Sequence, residues 1–148
     1  MKGKCKMKKL FKISALLLAV LMLVFCFTAC GNKVDKEGLW EDATYLKDTT
    51  VGKGDTSFKV EIAIGEQSIT LTVKTDAETV GAALLENGIV EGEDGSYGLY
   101  IKKVNGVTAD YDKDKAYWAF YIDGEFATSG VDSIEIDTDV TYKLEYAK

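Results

Sequence analysis

Three aspartates at alternate positions form the first group of side chains that could carry chemistry. Asp110, Asp112 and Asp114 have the first three ligand spacings of a calcium-binding loop. The pattern then fails, because Lys115 and Tyr121 occupy the sixth and twelfth positions, where such a loop needs Gly and Glu. A solvated acidic loop is the favoured interpretation and a loose calcium site is the alternative. We therefore predict no metal site.

Neighbouring carboxylates form the second group, since a pair of them could act as general acid and base on a glycoside. Glu91, Glu93 and Asp94 lie close together, but segment 91–98 is expected to be an exposed acidic loop without an apolar pocket. The chain has no His, and all 18 of its basic residues are Lys. Without imidazole or guanidinium groups there is no His-dependent relay and no Arg clamp. We predict no catalytic residue, no cofactor and no enzyme.

Aromatic side chains could instead bind a planar or sugar-like ligand by stacking. Alternation over 117–122 predicts a strand with Tyr117 and Tyr121 on one face and Trp118 and Phe120 on the other, core-facing side. A plain structural role for the exposed tyrosines is the alternative, because single exposed aromatics are normal on protein surfaces. The candidate ligand-binding residues are Tyr97, Tyr100, Asn105, Gly106, Tyr117 and Tyr121.

A cysteine near the N-terminus is a candidate for covalent modification. Six Lys lie in the first twelve residues, an apolar run follows over 13–29, and the segment ends in a small residue directly before Cys30. These are the three parts of a secretory signal, and the junction resembles the lipobox of bacterial lipoproteins. The resemblance implies that residues 1–29 are a signal peptide and that Cys30 is lipidated. An uncleaved transmembrane anchor is the alternative, since the apolar run approaches the length that spans a bilayer.

Export separates two segments of unlike charge. Removal of residues 1–29 takes six of the 18 Lys and none of the 24 acidic residues, so the remaining 119 residues carry a net charge of −12. Such an acidic product argues against a nucleic-acid partner. We expect a protein on the extracellular face of the bacterial membrane, anchored by lipidated Cys30.

The mature chain divides into a polar segment and a patterned domain. Residues 30–55 lack periodicity and predict a flexible tether. Over 56–148, two alternating runs joined at Gly65 predict a hairpin, Asp76 offers an N-cap for a helix of about ten residues that Asn87 and Gly88 end, and further strands follow. The order predicts an α+β fold: a β-grasp-like mixed sheet with one packed helix, in which the last strand pairs parallel to the first beside the helix crossover.

Four motifs in this region point to a family. They are Thr79–Glu86 on the helix, Val104–Val107 at a turn, Tyr117–Gly124 on the strongest strand, and Thr138–Val140 before the last strand. Together they resemble the DUF4430-like domains, which are similar to the C-terminal domain of the cobalamin carriers transcobalamin and intrinsic factor and occur in bacterial surface lipoproteins.

The resemblance implies a non-catalytic domain that binds a small molecule, with a corrinoid such as cobalamin as the named candidate. It also implies that loops at strand ends contact the ligand, which favours the turn at Asn105 and Gly106. The carriers complete their site with a large helical domain that this chain lacks, so a transporter or other surface protein is a possible partner. The alternative is an interaction or adhesion module that binds a protein or glycan.

Overall fold

The computed structural model describes residues 31–148; the predicted signal peptide and Cys30 lie outside this range. Within the described part, no helix is both long and apolar enough to cross a membrane. Residues 32–148 form one compact unit. Its larger sheet has the strand order β1-β3-β2-β9-β7-β8. These strands are β1 (Thr49–Gly52), β2 (Thr56–Ile64), β3 (Gln67–Thr75), β7 (Tyr117–Ile122), β8 (Glu125–Phe126) and β9 (Thr141–Ala147).

The β2–β3 hairpin is the centre of this sheet, as predicted. Its inward residues alternate along both strands, and Val60, Ile62, Ile69 and Leu71 are fully buried. Strand β9 lies parallel to β2 and antiparallel to β7. The predicted α+β fold with a mixed sheet is therefore confirmed, and the expected parallel pairing between the last strand and the first strand of the hairpin is present.

Helix α1 (Val80–Glu86) packs its apolar residues against the sheet and is shorter than predicted. Its N-cap is Thr79, whose side chain accepts a hydrogen bond from the amide of Ala82 at 3.2 Å. The prediction of Asp76 as the cap is wrong, because that carboxylate accepts a hydrogen bond from the amide of Asp55 at 2.9 Å. The helix ends as expected at Asn87.

A second sheet of three strands includes residues for which a loop was expected. It contains β4 (Val90–Gly95), β5 (Gly98–Val104) and β6 (Val107–Thr108). The prediction of an exposed acidic loop over 91–98 is therefore wrong in conformation, although the side chains are exposed. Gly and acidic residues disfavour strands in general. Here cross-strand ion pairs to Lys102 and Lys103 help to hold β4 against β5.

Strand β7 carries the predicted core residues. Trp118 and Phe120 are 7% and 8% exposed. The indole N–H of Trp118 donates to the carbonyl of Val107 at 3.2 Å, which ties β7 to the three-stranded sheet. The ring of Phe120 stacks on that of Tyr142 with a centroid distance of 6.0 Å. The core interpretation of this face is confirmed.

The N-terminal segment, residues 32–52, packs onto the domain. Lys33 pairs with Lys47 in an antiparallel bridge, the 3-10 helix Gly38–Asp42 follows, and β1 lies parallel to β3. Trp40 is 3% exposed within the common core. The prediction of a flexible tether over 30–55 is therefore wrong for residues 32–52. Isolated buried residues such as Trp40 do not recur at the spacing of a helix or a strand, so hydrophobic periodicity could not reveal this packing.

Candidate functional site

A cleft lies between the outer face of the three-stranded sheet and the short helix α2 (Tyr111–Asp114). Its volume is about 330 Å³, within the range of small-molecule sites. Strands β4 and β5 supply one side, and the segment from β6 into α2 supplies the other. The lining residues are Glu93, Tyr100, Lys102, Thr108, Ala109, Asp110, Tyr111 and Asp112.

Two tyrosines are the largest side chains in this cleft. Tyr100 is on β5 and 46% exposed, and Tyr111 begins α2 and is 54% exposed. The ammonium group of Lys115 lies 5.0 Å from the centroid of the Tyr111 ring, a cation–π contact that helps to position that ring. Exposed phenol rings offer an apolar face for stacking and a hydroxyl for hydrogen bonding.

Fixed charges complete the cleft. The ammonium group of Lys102 lies 2.7 Å from a carboxylate oxygen of Glu93, and this hydrogen bond raises the pKa of Lys102. Likewise, the side chain of Lys113, 3.1 Å away, lowers the pKa of the Asp110 carboxyl. Both shifts favour the charged forms at neutral pH. Lys102 and Asp110 can therefore orient a polar ligand by charge, and neither is tuned to exchange a proton near pH 7.

Local sequence determines the shape of the α2 wall. The carboxylate of Asp110 caps the helix by accepting hydrogen bonds from the amides of Asp112 and Lys113 at 3.1 and 3.2 Å. Lys115 ends the helix in the left-handed conformation, with φ of 57°. The first aspartate of the calcium-like spacing thus caps a helix and pairs with Lys113. Across residues 31–148, no group of three or more His, Cys, Asp or Glu is arranged to hold a metal ion.

The structure brings one of the six predicted ligand-binding residues, Tyr100, into the cleft. Tyr97 is 96% exposed at the turn between β4 and β5 and does not line it. Tyr117 begins β7 and is 37% exposed. The half-buried ring of Tyr121 packs edge-on against Phe126, with a centroid distance of 5.6 Å. None of these three tyrosines lines the cleft that contains Tyr100.

The turn at Asn105 and Gly106 is covered from within the chain. Asn105 is 1% exposed. Its side-chain oxygen accepts a hydrogen bond from the backbone amide of Tyr45 at 2.8 Å, and its side-chain nitrogen donates one to the backbone carbonyl of Tyr45 at 2.9 Å. A Cβ added at Gly106 would lie 2.3 Å from the carbonyl oxygen of Asp42. The expectation that a ligand contacts this turn is wrong for the described conformation, because the N-terminal segment occupies it.

Tyr111 is a cleft residue that the sequence patterns above do not single out. It directly follows Asp110, whose spacing to the next aspartates suggests a calcium ligand instead. The signal was present: an Asp N-cap followed by residues that form a helical turn predicts a short helix beginning at Tyr111. Glu93 and Lys102 were also missed as a pair, because their contact depends on the unpredicted β4–β5 hairpin.

A second concavity lies at the edge of the larger sheet. It has a volume of about 460 Å³ and is lined mainly by residues 122–129 together with Ile134. Phe126, on the short edge strand β8, is 61% exposed beside it. This groove is open and presents one exposed aromatic side chain, which is a feature of protein contact surfaces rather than of enclosed ligand sites.

Comparisons with known proteins agree with the fold. Residues 77–146 match the family described as "Domain of unknown function (DUF4430)", which confirms the resemblance inferred from the motifs. No curated protein matches the chain. A "putative metal binding protein" from Ruminococcus gnavus ATCC 29149 is similar in structure, with a TM-score of 0.58 and 27% identity over 64% of this chain and 98% of that one. Haptocorrin in complex with Cbi is also similar, with a TM-score of 0.48 and 19% identity. That match covers 63% of this chain and 25% of haptocorrin.

Proposed function

We propose that this chain, whose residues 77–146 match the DUF4430 family, is a non-catalytic binding protein held on the outer face of the bacterial membrane by lipidated Cys30. Its domain binds a small molecule in the cleft between Tyr100 and Tyr111. The observation that carries this proposal is the pair of half-exposed tyrosines beside fixed, oppositely charged groups in one concave site.

The cleft chemistry favours a ligand with a planar or sugar-like ring and polar substituents. The ring stacks on a phenol face, while Lys102 and Asp110 contact polar or charged groups at its edge. A corrinoid, the candidate from the family resemblance, is much larger than a cavity of about 330 Å³. Only the edge or a side chain of a corrinoid would enter, and a partner protein would have to cover the rest.

Metal binding receives less support as the function of this chain. The Ruminococcus gnavus protein is described as a "putative metal binding protein". In residues 31–148 of the present chain, two of the three acidic side chains of the cleft, Glu93 and Asp110, are paired with Lys, and no metal-ligating cluster is formed. We therefore assign the charges of the cleft to ligand orientation.

Calorimetric titration of the soluble Cys30→Ser mature protein with cobalamin and a panel of free sugars and planar heterocycles tests the cleft. Tyr111→Ala should weaken binding of any ligand found by roughly 2- to 12-fold, the loss expected for an aromatic contact of about 0.5–1.5 kcal/mol. Tyr97→Ala is the matched control, since it removes an exposed tyrosine outside the cleft. Equal affinities of both variants and the parent protein would refute the site.

Mass spectrometry of the membrane fraction tests the anchor. We expect Cys30 to carry acyl chains at the N-terminus of the mature protein, and Cys30→Ser to release the protein from the membrane. A peptide in which Phe27 remains joined to Cys30 would refute cleavage and lipidation.

The edge groove supports a second candidate function, a contact with another surface protein such as a transporter. Phe126 is exposed there on an edge strand, and a buried aromatic anchor is typical of protein interfaces. In a cross-linking experiment on cells, Phe126→Ala should remove a partner that Tyr111→Ala retains. Retention of the same partner by both variants would refute this role of the groove.

A further inference from the structure

The packed N-terminal segment removes almost all of the distance between the proposed lipid and the folded domain. The amide of Asn32 donates to a carboxylate oxygen of Asp48 at 2.9 Å, and the amide of Asp48 donates to the carbonyl of Asn32 at 2.9 Å. The fold therefore begins at Asn32. Only Gly31 separates this residue from Cys30.

Chain length then fixes the height of the domain. Two residues span at most about 7 Å, at roughly 3.3–3.6 Å for each residue. The headgroup layer of one leaflet is about 5–7 Å thick, half the difference between the whole bilayer and its hydrocarbon core. An acyl chain on Cys30 would thus hold Asn32 at the level of the lipid headgroups.

Two lysines lie at this point of the domain. Lys33 and Lys47 are cross-strand partners in the antiparallel bridge, and both are exposed. The backbone hydrogen bonds on either side run from the amide of Val34 to the carbonyl of Leu46 and from the amide of Asp48 to the carbonyl of Asn32. The two lysines are therefore a non-hydrogen-bonded pair of the antiparallel bridge. Such pairs have Cα atoms about 4.5 Å apart and close side chains, so two like charges lie together where repulsion is unfavourable.

Asp48, which follows Lys47 in the chain, forms no ion pair with it among the described residues. The two oxygens of Asp48 accept hydrogen bonds from the amides of Asn32 and Thr70, at 2.9 and 2.8 Å. Within residues 31–148, neither Lys33 nor Lys47 forms an ion pair.

We propose that the surface around Lys33 and Lys47 is a membrane-contact surface, at which the two ammonium groups bind the phosphates of lipid headgroups. This inference rests on the proposed lipidation of Cys30. The lipid phosphates supply a negatively charged partner for the two lysines, which form no ion pair within residues 31–148. Basic residues close to a membrane surface are attracted to it. The domain is then seated on the bilayer in one orientation, rather than carried on a tether.

The test measures the accessibility of individual lysines in the lipidated protein. Protein purified from the membrane is placed in phosphatidylcholine vesicles that contain phosphatidylglycerol, and the rate of acylation by a water-soluble amine reagent is measured at each lysine by mass spectrometry. The control chain carries a 20-residue Gly/Ser spacer between Gly31 and Asn32, which adds roughly 25 Å of flexible reach. Lys113, on α2, is the reference site.

We expect Lys33 and Lys47 to react at least about threefold more slowly in the natural chain than in the spacer chain, and Lys113 to react equally in both. The protection should decrease as salt is raised, because exposed charges are screened. Equal rates in the two chains would overturn the proposed seating, and protection that is insensitive to salt would overturn the phosphate contact. If the natural chain binds vesicles no better than Cys30→Ser, the anchor itself fails, and with it the proposed function.

Discussion

Trp40→Ala measures how strongly the N-terminal segment stabilises the domain. Trp40 is 3% exposed and lies in the same hydrophobic cluster as the sheet residues. A buried aromatic side chain removes about 150–250 Å² from water, which at roughly 25 cal/mol per Å² contributes about 5 kcal/mol. Among residues 31–148, the buried indole N–H of Trp40 has no hydrogen-bond partner, which costs about 1–3 kcal/mol. The substitution should therefore lower the free energy of unfolding by about 3 kcal/mol.

The assay is urea unfolding of the Cys30→Ser mature protein, followed by circular dichroism. The midpoint should decrease while the slope stays constant, because the same surface is exposed on unfolding. Leu39→Ala is the matched control: Leu39 is the preceding residue and 41% exposed, so its truncation should cost less than about 1 kcal/mol. Trp40→Phe removes the unpaired N–H and should cost clearly less than Trp40→Ala. A change below about 0.5 kcal/mol for Trp40→Ala would show that the segment is not part of the cooperative core, and the reasoning would be refuted.

Three further predictions concern single side chains. Asn105→Ala should lower the free energy of unfolding by about 2–3 kcal/mol in the same urea assay, because it leaves the backbone groups of Tyr45 without partners and puts Ala at a φ of 51°. Asn105→Gly also loses these hydrogen bonds but relieves the backbone strain, so its loss of stability should be smaller. Equal losses for the two variants would contradict the contribution of backbone strain. Burial raises the pKa of the Tyr142 hydroxyl. The folded state therefore holds that proton more tightly than the unfolded state, and the resulting stability is present below about pH 10 and lost as pH rises through the folded pKa. Tyr142→Phe should flatten this alkaline part of the stability curve, and an unchanged slope would contradict the assignment. Lys113 lowers the pKa of Asp110, so the contribution of Asp110 is present above its unfolded pKa of about 4 and lost as pH falls through the folded value. Asp110→Ala should lower the free energy of unfolding at pH 7 through the lost helix cap and should lower it less at pH 2, and a loss that does not depend on pH would contradict the charge argument.

The predictable part of the fold is the part with a regular pattern. Strand β3 alternates between buried and less buried residues along its whole length, and β2 does so as far as Ile62. Strand β7 is recognisable instead by its run of aromatic and apolar residues, of which Trp118 and Phe120 are buried in the core. The stop signal at Asn87 and Gly88 is local chemistry and was also correct. The N-cap was wrong because Asp76 and Thr79 both suit a cap by residue type. The residue that caps the helix is the one whose side chain reaches a backbone amide of the first helical turn, and only the folded backbone decides which residue that is.

The candidate cleft was only partly predictable, because its walls come from separate elements. Tyr100 could be named from an exposed position beside a glycine-rich segment. The Lys102–Glu93 pair required the β4–β5 register, including the bulge at Glu91 and Gly92. Asn105 was named for a turn that in fact binds Tyr45, sixty residues earlier in the chain. A turn dipeptide predicts local backbone geometry and does not predict which distant segment will cover it.

By itself, the sequence determined the α+β class, the central hairpin, the core face of β7 and the relation to DUF4430 domains, because each depends on local periodicity or on short motifs in order. It also predicts the export signal and Cys30 as the anchor. Tertiary structure alone decided that residues 32–52 belong to the domain, that the Asn105 turn is covered, and that Tyr100 and Tyr111 share one cleft. These features are contacts between residues far apart in the chain. Such contacts are selected by the packing of the whole core and leave no repeating pattern in the sequence.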